Sequence, residues 1–82
     1  MILKMKLSQA PLGDQVKISG FSPEWNEKFQ HRLVELGFGV GHAVTCVRKT
    51  PFRGPQIFRA GDTLYSLGKD VTDFILFDTS LT

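Results

Sequence analysis

A single cysteine, Cys46, stands in a chain of 82 residues, so no disulfide forms within it and a stapled secreted scaffold is excluded. No apolar run approaches the roughly 20 residues of a membrane-spanning helix. The alternating opening, Met1-Ile2-Leu3-Lys4-Met5-Lys6-Leu7, is too short for the apolar core of a signal peptide. A soluble cytoplasmic domain is the simplest expectation. An excess of one charge is lacking too: a net charge of +2 is too small to argue for nucleic-acid binding by itself. Its distribution says more. No acidic residue lies between Glu35 and Asp62, whereas Arg48, Lys49, Arg53 and Arg59 all fall in that interval. If the interval is a hairpin, one edge of the domain is locally basic. The plainer use of such charges is to protect strand edges from pairing with other chains.

Reactive constellations are missing too. No serine sits in a nucleophile elbow, and the acidic pairs Asp70/Asp73 and Glu24/Glu27 lack an apolar setting that would separate their roles as acid and base. The glycines of Gly37-Phe38-Gly39-Val40-Gly41 follow a helix, whereas a phosphate loop must precede one. His42 and Cys46 are four apart on an expected strand, and His31 is a third soft ligand. A zinc or iron site needs three or four such groups converging with further support around them. Cys46, set in an apolar run, reads as a small core hydrophobe. The expectation is therefore no enzyme, no metal ligands and no cofactor.

What is present reads as one small domain over residues 1–82, mainly β with one helix. Seven phenylalanines suit the filling of a core that this length keeps thin. Alternation predicts a first strand over Gln15–Phe21, with Val16 and Ile18 facing inward and Gly20 allowing a turn or bulge. Trp25, Phe29, Leu33 and Leu36 recur at helical spacing, capped by Asn26 after a turn at Ser22-Pro23-Glu24. Gly37 is placed to take the left-handed conformation that ends helices. Further strands follow at 42–49, 56–60, 63–67 and 74–77, with a Pro51–Pro55 loop, a Gly61-Asp62 hairpin and one helical turn over 68–73. Leu7 to Asp14 is a lead-in, and Asp78 onward reads as a frayed end. About five short antiparallel strands are best closed into a small β-barrel, with the helix inserted after the first barrel strand.

The segments Gly20-Phe21, Arg32-Leu33, Leu36-Gly37-Phe38, Gly41, Val47-Arg48, Pro51 and Gly54-Pro55, with Leu67, Lys69 and Ile75, resemble the ferrous iron transport protein A (FeoA) family. The resemblance runs from about Leu7 to Phe77. It departs at Val40, Gly68 and Thr72, at Gln56, where an apolar residue is usual, and in the spacing around Gly61-Asp62. It implies an SH3-like barrel and a cytoplasmic partner of the FeoB membrane transporter, whose cytosolic part carries a GTPase. That partner would recruit the domain to the inner face of the membrane, without insertion and without nucleic acid. SH3-like barrels present aromatic and polar grooves, so the candidate contact residues are Trp25, Arg48, Phe52 and Arg53. Packing is the plainer use of two of them: Trp25 lies on the apolar stripe, and Phe52 is placed to cap the barrel. Two other readings stay open: a small nucleic-acid-binding barrel, and a regulatory piece like the SH3-like domains of metal-dependent repressors.

Overall fold

A computed structural model describes residues 2–80, with the side chain of Ser80 excepted. In chain order the elements are β1 (Ile2–Lys6), a 3-10 turn (Leu7–Gln9), β2 (Gln15–Phe21), α1 (Glu27–Leu33), a wide last turn (Val34–Phe38), β3 (Ala43–Lys49), β4 (Gln56–Ala60), β5 (Thr63–Leu67), α2 (Lys69–Thr72) and β6 (Ile75–Ser80). The strands form one antiparallel six-stranded sheet in the order β1-β6-β2-β3-β4-β5. It coils around a single core as a small barrel whose end strands, β1 and β5, are not bonded to each other.

The coil depends on β2. Its first part, Gln15–Lys17, pairs with β3, and its last part, Ile18–Phe21, pairs with β6. The register shifts between Ile18 and Gly20, the position the sequence marks for a bulge. A second shift falls between Cys46 and Arg48 and bends β3 over the core. Both bulges let one sheet wrap where a flat one would leave its apolar face open.

The inward residues are Leu7, Ala10, Ile18, Leu33, Phe38, Val44, Cys46, Phe58, Ala60, Leu67, Ile75 and Phe77. Cys46 is fully buried among them, as its apolar setting predicts. Phe38 is also fully buried and meets Tyr65 edge-on, at 5.4 Å and 74°. Phenylalanine does not serve the core uniformly, because Phe29 and Phe52 are exposed.

The helix begins where the cap predicts. Asn26 accepts a hydrogen bond from the Lys28 amide at 2.8 Å, and Ser22–Trp25 forms the preceding turn. Gly37 has φ 98° and ψ 16°, the left-handed conformation that stops the helix. A Cβ there would sit 3.6 Å from the Ala60 Cβ, an ordinary contact, so backbone conformation rather than space selects glycine. The chain then locks onto β2: Gly41 donates to the Ile18 carbonyl at 2.8 Å, and Ile18 donates to the His42 carbonyl at 2.9 Å.

Three expectations are corrected. The alternating opening, to which the sequence assigns no strand, is a sixth strand from Ile2 to Lys6 that pairs with β6. Only Met5 of β1 is half-buried, so its alternation carries almost no burial signal and its partner lies far away in sequence. Asp78 and Thr79 are not frayed, because they pair with Lys4 and Leu3; Leu81 and Thr82 lie outside the described residues. The expected helix stripe is split. Leu33 is buried and Leu36 half-buried, but Phe29 is exposed and Trp25 precedes the helix.

Candidate functional site

The four sequence-selected contact residues fall into two groups. Trp25 is held by aromatic neighbours: its ring stacks on Phe29 (5.9 Å, 14°) and Phe74 (5.7 Å, 8°) and tilts against Phe21 (5.8 Å, 38°). The cluster joins the end of β2, the start of α1 and the residue before β6, so half-buried Trp25 works as mortar with one exposed flank, Phe29. A shallow recess beside it is lined by Phe21, Glu27, Gln30, His31 and Val34.

Arg48, Phe52 and Arg53 lie together on the β3–β4 hairpin. Arg48 is exposed near the end of β3, opposite Ile57. Phe52 is 99% exposed at the loop, so it does not cap the barrel. The Pro51-Phe52-Arg53-Gly54 turn carries Phe52 outward, away from the core. The loop is pinned at its base, where the Thr50 hydroxyl donates to the Pro55 carbonyl at 2.7 Å. A Cβ at Gly54 would collide with the Thr50 Oγ1, which explains the glycine between two prolines.

Under the hairpin lies a polar hub that sequence reasoning passed over. Gln56, buried in β4, donates from Nε2 to the Ser8 carbonyl at 3.2 Å and accepts at Oε1 from the Thr72 hydroxyl at 3.4 Å. The single Thr72 hydroxyl proton is shared with the Gly68 carbonyl at 3.3 Å, and Ser8 donates to Asp73 Oδ1 at 2.6 Å. Gln56 and Thr72 are both positions where the chain departs from the family pattern, and here they meet. That paired departure was the available signal.

The soft ligands do not assemble. His31 and His42 are exposed and Cys46 is wholly buried, its thiol directed at the Arg48 carbonyl at 3.7 Å. Among the described residues, no three His, Cys, Asp or Glu side chains converge. No helix among them is long and apolar enough to cross a membrane.

A coiled six-stranded sheet with one inserted helix and an exposed basic hairpin defines a small SH3-like domain. The chain belongs to the FeoA domain family, whose model it matches over residues 5–77, a family associated with ferrous iron transport. FeoA of Stenotrophomonas maltophilia, solved with zinc and described as a prokaryotic SH3 domain protein, is 28% identical with a TM-score of 0.76, over 89% of this chain and 88% of that one. Iron(II) transport protein A from Clostridium thermocellum is 27% identical with a TM-score of 0.77, over 89% of this chain but only 44% of its own length. A manganese-dependent transcriptional repressor shares the fold alone, at 15% identity and a TM-score of 0.80, over 99% of this chain and 44% of the repressor. No curated protein matches the chain.

Proposed function

We propose that this chain is a small cytoplasmic accessory protein of bacterial ferrous iron uptake, acting by contact with the cytosolic part of a FeoB-type membrane GTPase transporter. The FeoA assignment over residues 5–77 carries this reading. The surface is consistent with it: aromatic and basic side chains stand outside the core, on the hairpin and beside α1, where a partner can reach them. Arg48 and Arg53 supply steering toward an acidic partner face, and Phe52 and the Trp25–Phe29 flank supply apolar contact. The domain acts through contact and not through catalysis.

The test is calorimetry of the purified chain against the cytosolic part of the transporter at low salt, with the nucleotide varied. Saturable binding is expected, weakened by Arg48→Glu together with Arg53→Glu. No heat and no co-purification in any nucleotide state would refute the partner.

A further inference from the structure

The β3–β4 turn, whose exposed side chains the proposed function gives to a partner, also has an unusual backbone. Phe52 and Arg53 both have φ of 60°, a region that residues other than glycine, asparagine and aspartate seldom occupy. The Gly54 amide closes the turn onto the Pro51 carbonyl at 3.2 Å. Turns with two consecutive residues at positive φ are usually built from Asn-Gly, not from Phe-Arg. The molecule thus maintains a disfavoured backbone to place a phenylalanine, 99% exposed, at the apex.

Beside the apex lies a recess of about 150 Å³ lined in part by Lys49, Arg53 and Lys69. The neutral groups in its wall are already engaged: Ser8 donates to Asp73, Thr50 donates to the Pro55 carbonyl and Gln56 donates to the Ser8 carbonyl. No carboxylate is part of the wall, Asp73 being held by Ser8 outside it. The cationic side chains of the wall are what remains unengaged, so the recess suits an anion.

We propose that this hairpin is a lipid-binding tip. Phe52 enters the headgroup zone of a bilayer, Arg48 and Lys49 lie against anionic headgroups, and Arg53 and Lys69 hold a lipid phosphate in the recess. An apolar apex ringed by cations is the combination that an anionic membrane surface rewards. A soluble phosphate would use the recess but not Phe52. A purely acidic peptide segment would use the cations but leave Phe52 without an apolar contact. One aromatic anchor with a few charges gives weak, reversible attachment, suited to a protein that must also be released. The proposal does not depend on the transporter, because a protein-free vesicle tests it.

The experiment is co-sedimentation of the full chain with vesicles of phosphatidylcholine alone or mixed equally with phosphatidylglycerol. Binding is expected only to the mixed vesicles, and it should fall steeply as salt is raised. Phe52→Ser should weaken it about tenfold, as expected for loss of a partly inserted phenylalanine. Lys49→Glu and Arg53→Glu should each cost at least about fivefold, the effect of one basic residue at such a surface. All three sites are exposed, so the variants keep the parent's thermal melt, which circular dichroism checks. The proposal is overturned by no vesicle binding at low salt, by binding unchanged by Phe52→Ser, or by abolition of vesicle binding by millimolar inorganic phosphate. The last would make the recess a site for soluble phosphate. Tight binding of polyglutamate that ignores Phe52→Ser, with none to vesicles, would reassign the face to acidic proteins and equally sink it.

Discussion

Gln56 and Thr72 are buried polar residues in an otherwise apolar interior, and each one justifies the other. An unpaired buried amide or hydroxyl is unfavourable, whereas a satisfied pair ties the elements that carry it. Here β4 is tied to the 3-10 turn through Ser8 and to α2 through Thr72. Gln56→Leu should therefore destabilise by about 1–3 kcal/mol, since it strands the Ser8 carbonyl. The double variant Gln56→Leu/Thr72→Val should be better than additive by about 0.5 kcal/mol or more, read from urea unfolding as a double-mutant cycle. Strict additivity would show that the two side chains do not act together. Ser19 is the opposite case. Among the described residues its hydroxyl alone is buried with no partner, at the bulge of β2. Ser19→Ala should leave the fold unchanged and stabilise it by up to about 1 kcal/mol, measured in the same assay.

At the scale of elements, the stop of α1 gives the sharpest test. Because conformation and not crowding selects Gly37, Gly37→Ala should destabilise by about 1–2 kcal/mol and Gly37→Asn by less, since asparagine tolerates left-handed backbone. A steric origin would reverse that order, because asparagine is larger. Chemical denaturation of the two variants decides. The same stop was legible in sequence because its signals are local: Asn26 caps two residues from its donor, and Gly37 needs no partner to be recognised. Strands β2 to β5 were legible for the same reason, each bounded by glycine or proline turns. What escaped notice was non-local. β1 is a strand only because β6 lies beside it, and its own side chains are almost all exposed. In the candidate site, the basic character of the hairpin could be read from the gap in acidic residues between Glu35 and Asp62. The direction of Phe52 could not, since an aromatic between prolines fits a barrel cap as well as an apex. Nor could the separation of Trp25 from the hairpin residues, which depends on the Phe74 ring arriving from the far end of the chain.

For the molecule as a whole, the ligand geometry sets a limit on metal binding. With no three His, Cys, Asp or Glu side chains converging among the described residues, micromolar zinc or ferrous iron should raise the melting temperature by no more than about a degree. A chelator-reversible rise of several degrees would reveal a site shared between copies. The sheet order has a consequence of another kind, in time. β6 sits between β1 and β2, and its register joins Leu3 to Thr79 and Ile18 to Phe77. During synthesis neither β1 nor the Gly20–Phe21 end of β2 has a strand partner until β6 has left the ribosome. The helix and the β3–β5 meander can form early from near neighbours, but the barrel stays open until then. Folding should thus be governed by one late, long-range closure, slow for a chain of this size, and a ribosome paused before β6 would hold an incomplete barrel.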